Sequence, residues 1–104
     1  MNRPFVPVGS LADFPAGAGR MVVVEGRHVA VFRLDDGLHA IDNLCLHRGG
    51  PLCDGPLEGG IVTCPWHGWS YDVRTGTLVQ DGSVGVSRHE VCIDGDAVRI
   101  RLTD

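Results

Sequence analysis

Two pairs of metal-binding residues lie close together in this chain. One residue separates Cys45 from His47, two separate Cys64 from His67, and residues 48–63 lie between the pairs. Each pair supplies one thiolate and one imidazole. Two matched halves of this kind are what a [2Fe-2S] cluster with one cysteine-ligated and one histidine-ligated iron requires. Because such a cluster carries single electrons, the pattern indicates redox transfer.

A structural zinc site is the main alternative. Zinc binds two Cys and two His, usually with two to four residues between paired ligands. Cys64 and His67 fit either metal, whereas the single residue between Cys45 and His47 is tight for one zinc ion. In a binuclear cluster the two side chains can bind different irons. A zinc-stabilised interaction module therefore stays open, as does the weaker alternative of four unrelated residues.

The composition is that of an ordinary globular protein. The chain has 104 residues and a formal net charge of −4, and its 9 basic residues are all Arg. We predict a single domain over residues 1–104. No basic stripe favours nucleic acid as a partner, and no apolar run is long enough for a membrane span. No signal-peptide core follows the N-terminus, so we expect a cytoplasmic protein.

Four cysteines permit two disulfides in a secreted chain. Since two of the four cysteines belong to Cys/His pairs, metal ligation is favoured over disulfide formation here. Cys53 and Cys92 are then expected to be free, packed thiols in a reducing compartment. Three further histidines have no paired ligand nearby and are expected on turns or strand faces: His28, His39 and His89.

Short apolar runs, broken by 15 Gly and 6 Pro, predict an all-β domain. Residues 21–24, a methionine followed by three β-branched valines, predict a buried strand. Residues 30–41 predict a hairpin turning at Asp36-Gly37, and residues 91–102 predict a second turning at Asp94-Gly95. Residues 43–76 differ, because Gly and Pro are frequent there. We expect an antiparallel sandwich or barrel-like scaffold with this segment as an inserted, loop-rich, ligand-presenting lobe.

The residues around the ligand pairs carry a specific resemblance. Cys45-Leu-His47-Arg-Gly-Gly-Pro-Leu and Cys64-Pro-Trp-His67-Gly-Trp-Ser-Tyr-Asp resemble the two cluster-binding boxes of Rieske proteins. The resemblance is strong over residues 43–76, and the flanking strands fit the Rieske fold more loosely. It implies one [2Fe-2S] cluster per chain, with Cys45 and Cys64 on one iron and His47 and His67 on the other.

The same resemblance implies a set of residues around the cluster. Glycines would let main-chain N–H groups approach the sulfurs, and prolines would stiffen the loops. Trp66 is expected as a hydrophobic shield or as part of a docking surface, and Tyr71 as a hydroxyl donor to a ligand sulfur or as a packed side chain. The expected set is Gly49, Gly50, Pro65, Trp66, Gly68, Trp69 and Tyr71.

The boxes also indicate a low reduction potential. Rieske centres span roughly −150 to +300 mV, against about −400 mV for plant-type ferredoxins. High-potential Rieske proteins carry an additional disulfide at the positions of Gly50 and Trp66, and a serine donor at the position of Trp69. Because these features are missing, we expect a potential near or below the bottom of the range.

We find no nucleophile-base pair, nucleotide loop or second metal motif, so no catalytic residue is predicted. The resemblance implies a stand-alone Rieske-type ferredoxin that docks transiently to a flavoprotein ferredoxin reductase, linked to NAD(P)H, and to a terminal oxygenase of the ring-hydroxylating type. Rieske oxygenases carry a catalytic domain after this one; the chain ends at Asp104, so we expect none here. The alternative of the same fold is a small subunit of an assimilatory nitrite reductase.

Overall fold

Nine strands and two short 3₁₀ helices make up the part of the chain that the computed structural model describes, residues 3–46, 49–66 and 68–103. The 3₁₀ helices are Leu11–Asp13 and Leu52–Asp54. The strands are β1 (Val6–Ser10), β2 (Gly19–Val24), β3 (Arg27–Leu34), β4 (Gly37–Asp42), β5 (Leu57–Glu58), β6 (Ile61–Thr63), β7 (Ser70–Asp72), β8 (Arg88–Asp94) and β9 (Ala97–Arg101).

The strands form a large scaffold sheet and a small sheet. The scaffold has the order β1-β9-β8-β4-β3-β2, and the small sheet has the order β5-β6-β7, with antiparallel pairing throughout the described strands. β1 and β2 end the scaffold on opposite sides and contact each other, so the sheet curls towards a barrel. The small sheet is inserted between β4 and β8. The prediction of an all-β scaffold with an inserted lobe is confirmed.

Both predicted hairpins form, and each two-residue turn is shifted by one residue from the expected dipeptide. Leu34 pairs with Gly37, so Asp35 and Asp36 make the first turn. Asp94 pairs with Ala97, so the second turn is residues 95–96. Two-residue loops suit the right-handed twist of paired strands. None of the helices in the described parts of the chain is long and apolar enough to cross a membrane.

Strand β3 is buried on both faces and separates two cores. Ala30 and Phe32 pack into the core shared with the lobe, whereas Val29 and Val31 pack into the core of the curled scaffold. All four side chains are fully buried. Side chains of a strand alternate between its two faces, so a shift of the β3 pairing register by one residue would exchange these two pairs of side chains between the cores. The register of β3 therefore fixes the position of the lobe relative to the scaffold.

Strand β2 corrects one expectation. Residues 21–24 were expected to be buried, but β2 is the last strand of the scaffold, and Met21 and Val23 are exposed. Only Val24 of this run is fully buried, while Val22 packs partly against the scaffold core. A β-branched run predicts a strand, but its composition does not say whether the strand is central or at an edge.

Candidate metal centre

The two loops that carry Cys45 and Cys64 have the same main-chain hydrogen bonds. In each loop the cysteine carbonyl accepts from the N–H four residues further on, and the cysteine N–H donates to the carbonyl five residues further on. The bonds join Gly49 N to Cys45 O (2.8 Å), Cys45 N to Gly50 O (2.9 Å), Gly68 N to Cys64 O (3.1 Å) and Cys64 N to Trp69 O (2.7 Å). The two boxes are therefore two copies of one loop structure.

Glycine is needed at equivalent positions in both loops. Gly49 has φ of 70° and Gly68 has φ of 77°, in the left-handed region that side chains other than glycine rarely adopt. An added Cβ would meet nothing within 4 Å at either position, so the requirement is conformational rather than steric. These two glycines close the loops.

Gly50 is required for a different reason. A Cβ there would lie 2.7 Å from Cys64 Sγ and 3.1 Å from the Trp66 ring. The first loop therefore passes directly against the second, and its main chain approaches the Cys64 sulfur as closely as glycine allows. Contact between the loops brings the main chain of the first loop next to Cys64 of the second.

Both cysteines of the boxes are buried. Cys45 is 3% exposed, Cys64 is 2% exposed, and both belong to the core shared with the lobe. Neither is in a disulfide. Two uncrosslinked thiols in one core, each presented by a loop that also carries a histidine, suit metal ligation better than a structural crosslink.

Tyr71, on β7 beyond the second loop, supports the first loop. Its Oη lies 3.2 Å from Cys45 Sγ and accepts a hydrogen bond from Leu46 N–H over 3.1 Å. Burial, and then the hydrogen bond with Cys45, raises the pKa of Tyr71 above its usual value, so the phenol stays protonated. Its O–H is then available to the sulfur.

The structure describes three of the five other expected residues on the two loops. His47 and His67 lie outside the described residues. Pro65 and Trp66 are exposed, and a Cβ added at Gly50 would lie 3.1 Å from the Trp66 ring. Trp69 is partly buried against the lobe core.

Asn43 is a structural residue of the first loop that sequence reasoning missed. It is buried, and its Oδ1 accepts a hydrogen bond from Cys53 N–H over 2.9 Å. Its carbonyl accepts from Leu52 N–H over 2.7 Å, and its N–H donates to His28 C=O. Asn43 thus ties the two ends of the first loop together, two residues before Cys45. Short polar side chains commonly close turns in this way.

A second missed feature is a partly buried cluster of Arg27, Asp42 and His89, close in the chain to the start of the first loop at Asp42. His89 lies on β8, as expected of a strand residue; its side chain is fully buried, and its Nε2 lies 2.7 Å from Asp42 Oδ1. Arg27 holds the same carboxylate through two bonds of 3.0 Å. Thr103 N–H donates to His89 Nδ1 over 3.0 Å, so Nε2 carries the proton of the neutral ring and donates to Asp42.

The two cysteines outside the boxes are Cys53 and Cys92. Cys53 packs partly buried against the lobe core, where burial raises the pKa of its thiol. Cys92 lies on β8 and is also partly buried. Both are free thiols.

The residues present fit an iron–sulfur cluster. Soft thiolate and imidazole donors are those of such centres. The matched loops, the two buried thiols and the glycine pressed against Cys64 form a cradle that an added Cβ at position 50 would fill. Among the described residues no three metal-binding side chains group into a site for a single ion.

The chain belongs to the Rieske [2Fe-2S] domain family. The family's profile, described as the Rieske [2Fe-2S] domain, matches residues 4–90 and includes both boxes. The resemblance inferred from the sequence is thereby confirmed, and the cofactor of the chain is a Rieske [2Fe-2S] cluster. The zinc alternative has no support from the family.

Similar proteins are ferredoxins of dioxygenase systems. The chain is 33% identical, over 104 residues, to the ferredoxin component of a naphthalene 1,2-dioxygenase system from Pseudomonas aeruginosa, covering 99% of this chain and 100% of the relative. The solved ferredoxin of carbazole 1,9a-dioxygenase from Nocardioides aromaticivorans IC177 is 30% identical with a TM-score of 0.86, covering 92% of this chain and 95% of its own.

A second similar structure is a chain from a complex of reduced oxygenase and oxidized ferredoxin in carbazole 1,9a-dioxygenase. It is 28% identical to this chain with a TM-score of 0.85, covering 96% of this chain and 94% of its own. The Rieske fold predicted from the sequence is confirmed by these structures.

Proposed function

We propose that the chain is a Rieske-type ferredoxin that passes single electrons to a terminal oxygenase. The observation that carries the proposal is the pair of matched loops, which bury Cys45 and Cys64 while their tips at Leu46 and Trp66 face solvent. We assign Cys45, His47, Cys64 and His67 as the ligands. When bound, the cluster supplies a one-electron redox couple.

Three exposed apolar side chains lie at or beside the loop tips, and we propose that a partner docks on them. Leu44, Leu46 and Trp66, which we call the apolar rim, are each about half exposed or more, at 51%, 50% and 57%. Exposed Trp commonly anchors protein contacts. His47 follows Leu46 and His67 follows Trp66 in the chain, so a partner seated on the rim would contact the loops next to both proposed histidine ligands. A small interface of this kind suits transient electron transfer.

The relatives support the choice of partners. They are ferredoxin components of dioxygenase systems that match this chain over nearly its full length. We therefore propose a terminal oxygenase as acceptor and an NAD(P)H-linked flavoprotein reductase as donor, with no substrate chemistry by this chain. Its free thiols at Cys53 and Cys92 support a cytoplasmic location.

We further propose that the potential is low. Gly50 leaves no room for the additional cysteine of high-potential relatives, because a side chain there would meet Cys64 Sγ. Trp69 has no hydroxyl, and the hydroxyl of the next residue, Ser70, is bonded to Thr63 Oγ1 over 3.1 Å. Fewer donors to the sulfurs destabilise the more negative, reduced state. Voltammetry should give a midpoint near or below about −150 mV; a value above about +100 mV would contradict this proposal.

Stopped-flow absorbance tests the transfer itself. The cluster-loaded protein is mixed with a flavoprotein reductase of a dioxygenase system and NAD(P)H, and then with a terminal oxygenase. We expect rapid bleaching of the visible bands followed by reoxidation that depends on the oxygenase. A centre that reductase never reduces, although dithionite does, would refute the proposed role.

The runner-up is a small subunit of an assimilatory nitrite reductase. Solved small subunits of nitrite reductases share this fold, at identities that show the fold alone. Co-purification discriminates between the two functions, because a fixed subunit stays bound to a large sirohaem subunit whereas a ferredoxin is released.

A further inference from the structure

The second ligand loop, residues 64–69, is held from outside by Gln80. Gln80 Oε1 accepts a hydrogen bond from Ser70 N–H over 3.1 Å, and its Nε2 donates to Gly68 C=O over 3.4 Å. One amide thereby contacts the main chain on both sides of Trp69. Val79 N–H also donates to Ser70 C=O over 2.8 Å, so the neighbouring main chain continues the same contact.

The turn that carries Gln80 is stabilised by its own hydrogen bonds. Leu78 N–H donates to Val84 C=O over 2.9 Å, and Val84 N–H donates to Asp81 C=O over 3.2 Å. Asp81 Oδ1 accepts from Ser83 Oγ and Ser83 N–H, which lowers the pKa of this carboxyl. Leu78 is buried in the lobe core. The Gln80 amide is therefore held in place by a hydrogen-bonded turn that is anchored in the lobe core through Leu78.

The two ligand loops differ in how they are supported. The first is held from the buried side, by Tyr71 and Asn43, and the second is held from the solvent side, by Gln80. Gly68 directly follows the proposed ligand His67. The Gln80 amide therefore acts on the main chain next to a proposed ligand.

We propose that Gln80 is a positioning residue that fixes the second ligand loop and thereby raises the reduction potential of the centre; this rests on the proposed ligation by Cys64 and His67. Peptide bonds in the described residues are trans, so holding Gly68 C=O also fixes the direction of the Trp69 N–H. A fixed N–H dipole whose positive end faces a redox centre favours the more negative state of that centre, because the dipole needs no reorganisation when charge arrives.

Three variants of the cluster-loaded protein test this role: Gln80→Ala, Gln80→Met, which keeps the length without the amide, and the control Val79→Ala on the same turn. For both Gln80 variants we expect the equilibrium constant for reduction to fall about threefold to tenfold, or roughly 30–60 mV for one electron, as the loss of a net hydrogen bond predicts. Deuterium exchange over residues 64–72 should become faster, while the thermal unfolding midpoint stays near that of the parent.

The control separates positioning from a general loosening of the turn. Val79→Ala should change neither the potential nor the exchange. Unchanged potentials in both Gln80 variants, or an equal shift in Val79→Ala, would overturn the proposal. A parent protein without the visible spectrum of a [2Fe-2S] centre would instead contradict the proposed ligation, so the two failures are distinguishable.

Discussion

The Tyr71 hydroxyl is 3.2 Å from Cys45 Sγ, across 26 residues of sequence. The Leu46 N–H donates to the same oxygen, so the phenol proton is directed to the sulfur. This bond joins the strand after the second box to the first box. The side chain thus acts on the proposed ligand and also on the packing between the boxes.

We predict that Tyr71→Phe lowers the midpoint potential by roughly 20–65 mV, because a hydrogen bond of about 0.5–1.5 kcal/mol to the reduced centre is lost. The ring still fills its site, so the iron content should not change. Voltammetry with iron analysis checks both results. A potential equal to or above that of the parent would show that the hydroxyl does not donate to the sulfur.

Gly50→Ala should prevent cluster assembly, because the new methyl would lie 2.7 Å from Cys64 Sγ and 3.1 Å from the Trp66 ring. Gly82→Ala is the matched control, since its Cβ would meet nothing within 4 Å. Visible absorbance and iron per chain measure the outcome. A fully loaded Gly50→Ala protein would mean that the loops do not close on the sulfur as described.

The ionic cluster at Asp42 predicts a specific acid sensitivity. Burial opposes ionisation of Asp42, but the hydrogen bonds from Arg27 and His89 outweigh it and hold the pKa of Asp42 below its usual range. A lowered carboxyl pKa contributes stability that is present above the ordinary value, about 4, and is lost as the pH falls through the folded-state value.

Asp42→Asn should therefore lower the free energy of unfolding by about 1–3 kcal/mol at neutral pH and weaken its fall below about pH 4. Asp94→Asn is the control, because Asp94 is 72% exposed and 3.9 Å from Arg99, so little should change. Urea unfolding at several pH values measures both. Equal losses in the two variants would show that burial of the cluster contributes nothing.

Trp66→Ala should reduce the second-order rate constant of electron transfer to the oxygenase about tenfold, because an exposed aromatic side chain of the apolar rim is lost. Val23→Ala on β2 truncates an equally exposed apolar residue of the scaffold sheet and should leave the rate unchanged. Stopped-flow measurements of the electron-transfer rate constant in both variants test this prediction. Equal rates for the two proteins would place docking elsewhere.

The local parts of the fold and site were predictable from the sequence, and the long-range parts were not. The ligand boxes and both hairpins depend on residues close together in the chain. By contrast, His89 meets Asp42 across 47 residues, and no local pattern marks a buried histidine. The exposure of Val23 follows from the position of β2 in the sheet order, which strand composition does not encode.

Pulsed EPR of the dithionite-reduced protein labelled with ¹⁵N-histidine tests ligation by His47 and His67 most directly. We predict coupling of the unpaired electron to two histidine nitrogens, reduced to one in His47→Cys or His67→Cys proteins that still bind iron. A reduced signal without histidine coupling, or a colourless protein with stoichiometric zinc, would contradict the assignment of a Rieske electron carrier.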